Sequence, residues 1–177
     1  TTLFRAVLGE IAPDGGAVSV PKGRRIGALA QEAPSGPLSL LATVLAADTE
    51  RATLEAEAET AHDGARIAEI HTRLADIGAH SAPARAAAIL AGLGFDEAAQ
   101  ARPCMEFSGG WRMRVALGAL LFAAPDLLLL DEPTNYLDLE GTIWLENFLK
   151  SYPHTTLVVS HDRDLLNRIA RGIIHLD

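Results

Sequence analysis

Apolar and polar positions fall into runs whose period changes along the chain. The densest run, Leu127-Leu128-Leu129-Leu130, is unbroken and lies between Pro125 and Pro133. Such a run suits a strand covered on both faces, as in a parallel α/β sheet. Residues 156–159 predict a second strand of the same kind, and shorter strands are expected at 17–20 and 25–30. Pro13-Asp14-Gly15-Gly16 and Pro21-Lys22-Gly23 supply turn chemistry around them. Residues 2–8 read as a helix closed by Gly9. From Pro37 to about Gln100 the spacing turns helical, with segments at 38–47, 49–62, 65–77 and 83–91. The Asp63-Gly64 break between two similar segments predicts an antiparallel helical hairpin. A further helix, 111–122, is expected directly behind a Ser108-Gly109-Gly110 turn.

Composition narrows this picture without deciding it. A chain of 177 residues suits one domain with a substantial core. Its longest apolar stretch, 115–130, is interrupted at Pro125-Asp126 and falls short of the roughly 20 residues a membrane helix needs. A single cysteine, Cys104, excludes an intrachain disulfide framework and suits a reducing cytoplasm. The net charge of −8 runs against binding a phosphate backbone through basic residues. Acidic residues crowd 48–63, which reads as a solvated helix face. The basic clusters Lys22-Arg24-Arg25 and Arg163-Arg168-Arg171 are too small to make an RNA surface. His62, His71, His80, His154 and His175 show no metal-ligand spacing.

Candidate chemistry gathers behind the predicted strands. Asp131 and Glu132 end the 127–130 run, and ligands of open α/β sheets collect at the carboxyl ends of strands. Asp131 can hold Mg²⁺, which takes oxygen ligands and keeps several waters. Glu132 can polarise a water for attack on a phosphate. The plainer alternative is an acidic cap or turn after a buried strand. Ser108-Gly109-Gly110 precedes a helix, whose N-terminus attracts phosphate through free N–H groups and its dipole. The glycines permit close approach and Ser108 adds a hydroxyl, although a lone Ser-Gly-Gly is ordinarily only a turn. His161 follows the 156–159 strand, where Asp162 can cap the next helix.

The order F-S-G-G-W-R-M-R, then D-E-P-T-N-Y-L-D-L-E, then S-H-D-R resembles the ABC-F proteins, soluble ATP-binding-cassette ATPases that act on ribosomes. Tyr136 stands where that pattern usually has histidine. The resemblance implies an α/β, P-loop NTPase-type cassette with a mostly parallel core sheet, a small antiparallel β subdomain and an inserted helical subdomain. Its parts would be 1–37, 38–107 with a short arm-like hairpin, and 108–177. It implies that Gln31 reaches the metal and the attacking water, that His161 contacts the γ-phosphate, and that Asp138 links two nucleotide sites. Ser108, Gly109 and Gly110 would bind nucleotide held mainly by a different cassette.

Thr1-Thr2-Leu3-Phe4 is similar to the residues just after the lysine of G-x-x-x-x-G-K-[S/T]. Thr1 would then ligate Mg²⁺ and Thr2 would lie beside the α-phosphate. The glycine-rich cradle, its lysine and its strand are not in this sequence, so a piece cut just after that lysine, inactive alone, is expected. The implied cofactors are ATP and Mg²⁺. The implied partners are a second cassette, the ribosome and tRNA, in the cytoplasm. An ATPase subunit of a membrane transporter, or a non-catalytic binding module, are the alternatives.

Overall fold

A computed structural model describes residues 1–29 and 32–175. Its contacts divide the chain into two compact units. One joins Thr1–Gln31 to Ala124–Asp177, and the other is Glu32–Ala123.

The first unit is built on a parallel three-stranded sheet in the order β1 (Ile26–Ala28), β2 (Leu127–Asp131), β3 (Thr155–Val159). Ile26 pairs with Leu127, and Leu127 with Thr155. The four leucines explain why β2 is central: Leu128, Leu129 and Leu130 are each 0% exposed. Burying such side chains contributes about 1.5–3 kcal/mol apiece. Between β2 and β3 runs α8 (Leu139–Ser151), which buries Leu145 and Leu149. It also buries Glu146, whose carboxylate accepts from the Arg168 guanidinium of α9 (Arg163–Ile169) at 3.0 Å. The opening helix, α1 (Thr2–Val7), anchors through buried Phe4.

At the amino end of the sheet the polar groups answer one another. Asp126 accepts from the Arg25 backbone N–H at 2.9 Å and from the Arg24 guanidinium at 3.0 Å. Those donors hold its carboxyl below the usual carboxylate range. Its own carbonyl accepts from Thr155 N–H at 3.2 Å. The Tyr152 hydroxyl donates to Pro125 O at 2.6 Å, and burial pushes its pKa up to about 12.

The expected strand at 17–20 does not form, and the one at 25–30 shrinks to Ile26–Ala28 among the described residues. No antiparallel β subdomain is present among them; the antiparallel pairing seen is a bridge between Ser39 and Pro103. Residues 26–28 persist because β2 pairs with them, whereas 17–20 find no strand partner among the described residues.

The second unit is helical. Here α2 (Leu40–Leu45), α5 (Ala82–Gly92) and α7 (Gly109–Ala123) pack on one another. Gly118 marks the tightest point, since a Cβ there would sit 3.2 Å from Leu93 Cδ1 and 3.7 Å from Val44. The predicted hairpin is present as α3 (Thr49–Thr60) and α4 (Gly64–Asp76), N-capped by Asp48 and Asp63. Arg66 clasps Glu57 at 2.7 Å and Arg73 reaches Glu50 at 2.6 Å across it. These pairs use up part of the acidic face seen in the sequence, and hold Arg66 and Arg73 charged. A short α6 (Glu97–Gln100) completes the unit, its Gln100 amide bonded to the carbonyls of Phe95 and Ala87. Among the described residues no helix is long and apolar enough to cross a membrane.

Candidate functional site

The carboxyl end of the sheet brings together Thr1, Asp131, Glu132, Ser160 and His161. Asp131 closes β2 opposite Val159, and its carboxylate is paired with the Thr1 amino group. Thr1 also N-caps α1, its Oγ1 accepting from Phe4 N–H at 3.4 Å, while Thr2 is the exposed first residue of that helix. The carboxylate of Asp131 and the hydroxyl of Thr1 are the hard oxygen donors a divalent ion such as Mg²⁺ selects. Among the described residues no group of three or more His, Cys, Asp or Glu side chains forms a metal cage. A site of one or two protein oxygens plus water is what Mg²⁺ ordinarily uses.

Glu132 lies one residue beyond the strand with φ 46° and ψ 54°, in the left-handed region. For a residue with a Cβ this conformation costs about 1–3 kcal/mol and is concentrated at functional positions. Its N–H donates to Val159 O at 2.8 Å, which ties the bend to β3. The short 3₁₀ turn that follows, Pro133–Tyr136, has no side-chain cap from Glu132. The carboxylate instead accepts from His161 N–H at 3.0 Å, His161 Nδ1 at 2.8 Å and Ser160 Oγ at 3.2 Å. The Glu132 side chain thus does not cap the turn it begins. Hydrogen bonding to Glu132 raises the His161 pKa above the ordinary imidazole value, and attraction to the same carboxylate adds to it. The His161 side chain is 78% exposed, against 27% for Glu132.

Asp162 N-caps α9, accepting from Asp164 and Leu165 N–H, as its position before a helix suggested. Asp138 N-caps α8, its Oδ1 accepting from Gly141 N–H at 2.9 Å. Gln31 lies outside the described residues. Ser160 went unassigned in the sequence. Its one signal was a hydroxyl directly before His161 at a strand end.

Ser108, Gly109 and Gly110 belong to the helical unit and differ from expectation. They are not a turn preceding a helix that begins at Trp111. Ser108 is the N-cap, its carbonyl accepting from Arg112 N–H at 2.9 Å, and both glycines form the first turn of α7. Low helix propensity predicts glycine outside a helix. The first turn relaxes that penalty, because its N–H groups have no intrahelical partner to lose. A Cβ at either glycine would meet nothing within 4 Å, so the turn is open to a ligand. Aromatic packing fixes it from behind. The Phe95 ring meets Trp111 at 5.1 Å and Phe107 at 5.8 Å, edge to face. The guanidinium of Arg114 lies 4.3 Å from the Trp111 ring and that of Arg102 4.9 Å from Phe107.

Comparison with known proteins bears on the family and the fold. The ABC transporter family profile matches residues 1–135. The chain is 61% identical over 114 residues to ATP-binding cassette sub-family F member 3 of Rattus norvegicus, covering 64% of this chain and 16% of that protein. It is 46% identical over 180 residues to "Probable ATP-binding protein YheS" of Escherichia coli strain K12, covering 100% of this chain and 28% of that protein. The chain therefore spans less than a third of the length of these curated relatives. Among solved structures, an ATP-binding subunit of an ABC transporter superposes with TM-score 0.65 at 16% identity, over 95% of this chain and 65% of that one. An archaeal ribosome recycling factor, solved with a ribosomal stalk protein, gives TM-score 0.61 at 21% identity, over 95% of this chain and 28% of that one. At these identities the two structures bear on fold alone.

Proposed function

This chain belongs to the ABC transporter family of ATP-binding cassettes, with ABC-F proteins among its relatives, and on that premise we propose that the complete protein hydrolyses ATP to ADP and phosphate in the service of the ribosome. The observation that carries the hydrolytic part is the Glu132 carboxylate, presented by a strained residue at the carboxyl end of β2 and held by Ser160 and His161.

Each residue takes a distinct part. The Asp131 carboxylate and Thr1 hydroxyl would hold Mg²⁺, and Thr2 would lie beside the α-phosphate. Bound Mg·ATP supplies a neutralised γ-phosphoryl group as the electrophile, a reaction governed by positioning and electrostatics. Glu132 orients a water and accepts its proton. His161 would donate to a γ-phosphate oxygen. Gln31 reaches toward the metal and the water. The open first turn of α7, with Ser108, binds phosphate of nucleotide held by a second, facing cassette. Asp138, at the start of α8, communicates across that pair. The partners are thus a second cassette together with ribosome and tRNA, in the cytoplasm.

The ribosomal part rests on the sub-family F resemblance and not on charge, which at −8 does not favour RNA. The complete protein is expected to turn over ATP and to pellet with ribosomes in an ATP-dependent manner. Fractionation with membranes instead would favour a transporter subunit.

A further inference from the structure

We propose that Ser160 is a positioning residue for hydrolysis, one that fixes the Glu132 carboxylate independently of His161. The inference rests on the reading of Glu132 as the group that orients water. Three donors converge on that carboxylate, and they differ in kind. The His161 imidazole is 78% exposed and hinged only at its own side chain, so it is free to leave for a phosphate oxygen. Ser160 Oγ is part-buried and held at both sides. It donates to Glu132 Oε2 at 3.2 Å and accepts from Asp162 N–H at 3.0 Å. Asp162 is itself locked as the N-cap of α9. The hydroxyl therefore joins a helix terminus to the carboxylate.

The backbone of Glu132 strengthens the need for such a tether. Its φ of 46° throws the side chain away from the direction the strand would give it, and its N–H is spent on Val159 O. When the imidazole swings out, the remaining holds are the His161 backbone N–H and Ser160 Oγ. The N–H straddles the carboxylate, 3.0 Å from Oε1 and 3.3 Å from Oε2, and so divides one donor between two oxygens. The hydroxyl gives Oε2 a donor of its own at 3.2 Å, which leaves the N–H to Oε1 and fixes the plane in which a water is received. Misplacement of a catalytic group by a fraction of a bond length is enough to slow a reaction severely.

The test uses the complete protein with Ser160→Ala, Ser160→Thr, Glu132→Gln and the double variant Ser160→Ala/Glu132→Gln. Single-turnover rates, steady-state kcat and KM for ATP, and thermal midpoints are measured on each. Ser160→Ala is expected to lower kcat about tenfold with KM for ATP within about twofold of wild type. Ser160→Thr keeps the hydroxyl and is expected to restore most of the rate. In the Glu132→Gln background the alanine change is expected to cost nothing further, because Ser160 acts through that carboxylate. An unchanged kcat in Ser160→Ala would overturn the proposal. So would the same tenfold loss in the double variant, or a loss that follows the thermal midpoint and is not rescued by threonine. Undiminished turnover in Glu132→Gln alone would instead remove the role of Glu132, and with it the ground for Ser160.

Discussion

The two ends of β2 are built from similar parts and put them to different uses. Each end carries a non-glycine residue in the left-handed region, Ala124 at φ 45° before the strand and Glu132 at φ 46° after it. Each also carries a carboxylate with several donors. At the amino end Asp126 and the Ala124 carbonyl are answered by Arg24 and Arg25, and Tyr152 seals Pro125. Everything there closes on neighbouring structure. At the carboxyl end Glu132 is answered by an exposed imidazole and a hydroxyl. The imidazole can be exchanged for a ligand without opening the sheet. Strain and buried polarity alone do not mark a site. What marks it is strain joined to partners that can leave.

Three substitutions probe the strand by stability, and two of them separate its ends. Leu129→Ala should cost the most, about 2–5 kcal/mol, because a fully buried side chain between two strands is lost. Chemical denaturation should show that loss, and it damages both ends alike. Ala124→Gly should do the opposite at the amino end, relieving left-handed strain by about 1 kcal/mol without changing ATP turnover. A loss of turnover there would show that the amino end is not purely structural. Glu132→Gly relieves comparable strain but loses the bonds to Ser160 and His161, so its stability should change little while turnover collapses. If that variant kept its turnover, the contrast between the ends would fail.

The smallest effect is one of pH, and its sign differs between the ends. Asp126 has a lowered folded pKa, so its contribution to stability is present above about pH 4 and is lost as the pH falls through that lowered value. His161 has a raised folded pKa, so its pairing with Glu132 is fully present below about pH 6.5 and is lost as the pH rises through the raised value. The stability deficit of Asp126→Asn should therefore shrink under acid, and that of His161→Ala should shrink under alkali. An NMR titration of His161 in Glu132→Gln should bring its pKa back toward the ordinary range.

The sequence made the strand-end chemistry legible because its signal is local and dense. Four leucines between prolines force a buried strand, and the residues that end it must then face the carboxyl edge. The hairpin was equally plain, since Asp63-Gly64 interrupts two matched segments and Asp63 became a cap. Less local features were misread. Residues 17–20 look like a strand, but strand formation needs a partner that no short window reveals. Gly109 and Gly110 look like a turn by propensity, yet they begin α7, whose packing through Val115, Leu117 and Leu121 carries the helix back over them. The left-handed Glu132 was invisible because local rules reserve that conformation for glycine or asparagine. Ser160 was missed for the same reason, since its role exists only once β2 and β3 lie side by side.

The most direct test of the central claim is single-turnover ATP hydrolysis by the complete protein carrying Glu132→Gln in this cassette, with bound nucleotide measured alongside. ATP is expected to remain bound while its hydrolysis here slows by about 10²–10⁴-fold. Hydrolysis at the wild-type rate, with binding intact, would contradict it.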